Sequence, residues 1–200
     1  MLLRTFLEIV GSGCFAAAAE RPALTPSAVS GHMRRLEQIA GVGLQARTTR
    51  RLDLVFGKSA AWSGGALLWK EPLVWVYAPE HSLPVGQPLP LAVFPKPCVY
   101  RESAVTALSK TEQAWRMVFE SSSMASCLSA ACSGSAITVI AESQRNEGLR
   151  VLGSEEGLPE LPTVRFYVFV REHSPTIEAL VEAARRVGQR GRFGLRGFRD

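Results

Sequence analysis

The stretch TPSAVSGHMRRLEQIA, residues 25–40, constrains this chain more than any other. Thr25 followed by Pro26 supplies a capping hydroxyl and a residue whose fixed φ suits the first position of a helix. Val29, Met33 and Leu36 then recur at i, i+4 and i+7, flanked by Ala28 and Ile39, so one apolar stripe runs at helical spacing. That stripe predicts a core-facing side. Ser27, Ser30, Gly31, Arg34 and Arg35 fall on the opposite side, with short hydroxyl donors first and two cations a turn later. A helix of this kind suits a polyanion on its exposed face, although an isolated Arg-Arg pair on a solvated helix needs no partner at all.

The flanking sequence decides between those readings. Upstream, Leu2, Leu3, Phe6, Leu7 and Val10 predict a short helix, Gly11-Ser12-Gly13 breaks it, and residues 15–20 predict a second, alanine-rich helix. Arg21-Pro22-Ala23-Leu24 is a tight connection into the helix that starts at Pro26. A helix, a turn and a second helix with an exposed polar face form the helix-turn-helix plan, whose second helix enters the DNA major groove.

Charge is distributed to match. Residues 1–58 carry eight Lys/Arg against four Asp/Glu, residues 59–184 nine against thirteen, and residues 185–200 six against one. A basic N-terminal module is the electrostatic footprint of phosphate neutralisation. The last stretch, RRVGQRGRFGLRGFRD, is too rich in Gly and Arg for a packed helix beyond Val187, and residues 188–200 are expected to be a basic disordered tail.

Other chemistries find little support. Cys14, Cys98, Cys127 and Cys132 show no C-x-x-C pairing and no histidine at metal spacing, so no metal site and no cofactor is expected. His32, His81 and His173 share no motif with a nucleophile, and neither a G-x-S-x-G elbow nor a phosphate loop occurs; the chain does not read as an enzyme. Glu8 and Arg4 interrupt the apolar N-terminal run, no segment reaches membrane-spanning length, and a cytoplasmic location is the expectation.

The second half alternates strands and helices. Residues 52–57 and 66–79 predict strands, PCVYRES a further strand running into a helix near residues 104–113, and residues 115–143 a strand, a helix and a strand. VRFYVFVRE predicts a strand, and SPTIEALVEAARRV a helix with Ser174 as its cap and Pro175 at its first position. Such alternation predicts a mostly parallel α/β layer.

Read together, LLRTFLEIVGSGCFAAAAERPALTPSAVSGHMRRLEQIAGVGLQARTTRR resembles the N-terminal winged helix-turn-helix of LysR-type transcriptional regulators. Several blocks keep the family spacing at once, although Pro26 stands where the family commonly has a base-reading Gln. The resemblance implies that Ser27, Ser30, Arg34 and Arg35 face double-stranded DNA, with Arg47, Arg50 and Arg51 in the wing at the phosphates. LLWKEPLVWVYAPEHSL resembles the crossover between the two lobes of the family's periplasmic-binding-protein-like effector domain, and the serine-rich helix start before GSAITVI resembles the centre of its second lobe.

The implied architecture is α/β overall: an all-α winged helix-turn-helix over residues 1–51, then an incomplete effector domain over residues 52–187. In such a fold Ser121, Ser122 and Ser123 would form one wall of a small-molecule site, unless they only cap their helix. ARTTRR runs straight into LDLVFG, where the family has a dimerising linker helix and the start of lobe one, so the chain reads as internally shortened near Arg51-Leu52. A homo-oligomer would then form without that linker. Two further readings stay open, a stand-alone small-molecule-binding module and a decayed regulator without specific activity.

Overall fold

The computed structural model describes residues 2, 3, 5, 6, 25–40, 54–61, 64–171 and 173–190. The helix expected at residues 15–20, its flanking turns, Cys14, the wing arginines Arg47, Arg50 and Arg51 and the tail after residue 190 lie outside them. By contact the chain divides into one unit of residues 1–70 with 165–200 and a second of residues 71–164. The boundary expected at residue 51 falls among positions that are not described.

In the first unit, Leu2, Leu3, Thr5 and Phe6 are helical, and helix α1 spans Pro26–Ala40 as the Thr-Pro start signal predicts. Strand β1 (Leu54–Ser59) pairs antiparallel with strand β7 (Thr163–Val170), Leu54 opposite Val170 and Ser59 opposite Arg165. Phe6, only 3 % exposed, packs edge-on against Phe56 of β1, with ring centroids 5.4 Å apart. Trp69, in the first part of strand β2 (Ala66–Tyr77), stacks on Phe166 at 4.3 Å.

Helix α4 (Pro175–Arg190) closes this unit. Ser174 caps it as expected, its hydroxyl accepting the Ile177 N–H at 3.3 Å. The helix does not stop at Val187 but continues three residues further, against the expected end. The reason is tertiary: at Gly188 a Cβ would come within 2.3 Å of the Trp69 ring, so the missing side chain lets the helix backbone lie on the indole. Packing here overrides the poor helix propensity of the Gly-rich sequence.

The second unit holds the remainder of β2, β3 (Leu89–Val93), α2 (Val99–Leu108), β4 (Trp115–Glu120), α3 (Met124–Cys132), β5 (Thr138–Ala141) and β6 (Arg150–Leu152). Here β2 pairs antiparallel with β5 and β6, whereas β3 pairs parallel with β4 and bridges in parallel from Leu91 to Ile137. The mostly parallel layer predicted from the sequence is therefore corrected. The parallel pairs just named, among the described residues, join strands connected through α2 and α3, because only a crossover returns the chain in the same direction.

Two local expectations also change. PCVYRES is not a strand: α2 begins at Val99, and its buried Tyr100, Ser103, Ala104, Ala107 and Leu108 recur at the 3.6-residue period, which outweighs the strand preference of Val99 and Tyr100. The true strand lies earlier, in LPLAV, where Pro90 masks the pattern. Pro90 is tolerated because its carbonyl accepts the Ile137 N–H at 2.8 Å, while the donors come from Leu89 and Ala92.

Candidate nucleic-acid interface

Helix α1 has two chemically distinct faces. Thr25 Oγ1 accepts the Ala28 N–H at 3.2 Å and lies 2.9 Å from Ser27 Oγ, so the N-terminal cap is made as the sequence predicts. Val29, Met33 and Leu36 are buried, at 0, 2 and 9 % exposure. Each such side chain contributes roughly 1.5–3 kcal/mol through removal from water, enough to dictate which way the helix turns.

The opposite face is open. Ser27, Arg34 and Arg35 are exposed, Ser30 is half-buried, and neither guanidinium pairs with a described residue. Ser27, Gly31, Arg34 and Gln38 succeed one another at i, i+4, i+7 and i+11, and all four are exposed. Gln38 was missed by sequence reasoning, although the same spacing from Ser27 points to it. A Cβ at Gly31 would meet nothing within 4 Å, so the centre of this stripe is a bare stretch of helix backbone. Hydroxyl, amide and guanidinium groups along one accessible helix face can donate to phosphates and to base edges in a major groove.

Another flank of α1 is tied down. His32 is half-buried, and its Nδ1 lies 2.9 Å from Oγ1 of Thr5, which is 1 % exposed.

Of the three serines at the start of α3, Ser123 caps the helix and Ser121 holds the turn before it. Ser123 Oγ accepts the Ser126 N–H at 3.3 Å, Ser121 Oγ accepts the Ser123 N–H at 3.1 Å, and the Ser121 N–H donates to Val93 O at 3.1 Å. Ser122 is exposed. Behind them Cys127 is fully buried, and burial first, then the nearby Cys98, pushes its thiol up to about 11. Cys132, on the other side of α3, is exposed.

A helix with one buried apolar face and one exposed face of hydroxyl, amide and guanidinium groups, in a chain whose remainder is α/β, defines a class, the helix-turn-helix regulator carrying a ligand-binding-type domain. Residues 1–55 match the bacterial regulatory helix-turn-helix proteins of the lysR family, and residues 35–189 match the LysR substrate binding domain. The chain belongs to the LysR family of transcriptional regulators.

It is 31 % identical over 102 residues to the HTH-type transcriptional regulator PecT of Dickeya dadantii, covering 51 % of this chain and 32 % of PecT. It is 50 % identical over 52 residues to the HTH-type transcriptional regulator CrgA of Neisseria meningitidis, covering 26 % of this chain and 17 % of CrgA. The chain thus spans a third or less of these relatives. Among solved structures, the bromide-bound regulatory domain of HypT from Salmonella typhimurium has the same fold, with a TM-score of 0.52, 18 % identity and coverage of 70 % of this chain and 73 % of that one. Vibrio fischeri DarR in complex with DNA matches with a TM-score of 0.52 and 12 % identity, covering 92 % of this chain and 97 % of that one. Among the described residues, no helix is long and apolar enough to cross a membrane.

Proposed function

We propose that this chain is a sequence-specific DNA-binding transcriptional regulator that acts in the cytoplasm, with residues 1–51 as its winged helix-turn-helix and residues 52–187 as a shortened effector domain. The observation that carries this reading is the exposed stripe of Ser27, Gly31, Arg34 and Gln38, opposite a buried apolar stripe on the same helix. Ser27, Ser30, Arg34 and Arg35 act in the major groove, and Arg47, Arg50 and Arg51 neutralise phosphates from the wing. The two arginines suit phosphate or guanine edges better than adenine.

The effector response is weakened in this reading. The hydroxyls of Ser121 and Ser123 accept backbone N–H groups of their own turn, which supports a capping role over a ligand-binding one. The family's linker helix and first part of lobe one are absent near Arg51-Leu52, so one wall of a small-molecule cleft is missing and any homo-oligomer pairs through the remaining effector surfaces.

The test is a titration of the purified chain against promoter DNA from its own gene and against a scrambled duplex, with salt varied. Tighter binding to the promoter, falling steeply with salt, is expected. Equal and weak binding to both duplexes would leave a regulator fold without regulator function.

A further inference from the structure

The contacts of two consecutive residues bear on how α1 is held. Thr5 and Phe6 lie next to each other on the first helix, both almost fully buried, and they face different partners. Thr5 Oγ1 meets His32 Nδ1 of α1 at 2.9 Å. Phe6 meets Phe56 of β1 at 5.4 Å, the planes 69° apart, an edge-to-face pair of favourable geometry. Phe56 in turn sits in the β1–β7 ladder opposite Val168, which is 2 % exposed.

We infer that Phe56 is a positioning residue for DNA reading, because Thr5 and Phe6 clamp α1 to the β1–β7 ladder and so make the orientation of the reading helix a property of that sheet. The inference rests on the DNA-binding reading of α1, but the clamp itself does not. Phe56 is linked to α1 through Phe6 and, one residue away, the contact between Thr5 and His32. A helix-turn-helix tethered by a loose linker would keep its reading geometry when a distant strand is damaged. One clamped at both Thr5 and Phe6 would not, since the packed side chains have no second arrangement of equal density.

The experiment compares the full chain with its Phe56→Ala, Phe56→Leu and Thr5→Val variants. The first readout, without DNA, is amide hydrogen exchange by mass spectrometry. Phe56→Ala should speed exchange in α1 by about three- to tenfold, the range an aromatic pair of this kind supplies, while β5 and α3 of the other unit keep their rates. Phe56→Leu, which keeps apolar bulk but loses the ring pair, should restore only part of the protection, and Thr5→Val should loosen α1 while leaving β1 unchanged. The second readout is the ratio of promoter to scrambled-duplex affinity. Loss of folded protein lowers both affinities alike, whereas a misplaced helix lowers only the specific one. Unchanged α1 exchange in Phe56→Ala, or an equal rise in both units, overturns the inference. Absence of specific DNA binding in the unmodified chain would count against the proposed function alone, and the exchange data would still decide the clamp.

Discussion

Arg34 and Arg35 can be removed from α1 with almost no structural consequence, which makes their double replacement by Ala a clean test of what the exposed face does. Both are exposed and unpaired among the described residues, so the variant should unfold within about 0.5 kcal/mol of the parent, the usual range for surface changes. DNA binding should respond strongly. If both cations neutralise phosphates, the salt slope of log K falls by about 1.8, from about 0.9 per contact. Between 50 and 200 mM salt the parent would then lose about tenfold more affinity than the variant. An arginine that reads a base adds ~1 to 3 kcal/mol of specific binding energy at its position. Met33→Ala is the matched opposite, one residue along and on the buried face at 2 % exposure. It should cost about 2–5 kcal/mol of stability, yet leave the affinity per folded molecule and the salt slope alone. Fluorescence anisotropy with a labelled duplex, read beside urea unfolding, measures affinity, salt slope and stability. A double arginine variant that keeps the parent's affinity and slope would refute the assignment of this face.

Gly134 follows α3 at φ +70°, where its N–H bonds Ala131 O and the Ser135 N–H bonds Ala130 O, and a Cβ there would lie 2.3 Å from the His81 ring. Gly134→Ala should therefore lose about 1–2 kcal/mol from the left-handed backbone alone, with a steric part that His81→Ala relieves; urea unfolding of the single and double variants checks this. Glu156 is held below the ordinary carboxylate pKa of about 4.3, first by the Gly153 N–H at 2.8 Å and then by Arg150 at 2.5 Å. Its stabilisation is present above that ordinary value and disappears as pH falls through the lowered one. Glu156→Gln should accordingly be less stable than the parent at neutral pH, with the gap closing in acid, as thermal melts across pH will show. Alkylation at pH 8 should label the exposed Cys132 rapidly and reach the buried Cys127 only on unfolding, which peptide mass mapping resolves.

Helix α1 was legible because its determinants are local. Thr25 and Pro26 mark its start and Val29, Met33 and Leu36 its buried side, and the structure places each accordingly. Ser174 and Pro175 make the same local statement for α4. Strand β3 was not legible, since Pro90 in LPLAV reads as a break until Ile137 arrives to use its carbonyl. The serines before α3 show the limit for the candidate site. Their types and order fit a cap and a ligand wall equally well, and the choice depends on which backbone N–H groups their hydroxyls meet.

Local pattern was enough to set one helix with an apolar stripe and an opposing stripe of serines, glycine and arginines, because a helical period and a cap need only neighbours within a few residues. It also determined membership of a regulator family, through several blocks kept at fixed spacing. What holds that helix in place depends on contacts far apart in the chain. Thr5 meets His32 across 27 positions, and Phe6 meets Phe56 across a still longer stretch of chain. The end of α4 depends on Trp69 in the same way, since Gly188 reads as a helix breaker until an indole is packed beneath it. Contacts of this separation are selected by complementarity of packed surfaces, which no local pattern encodes.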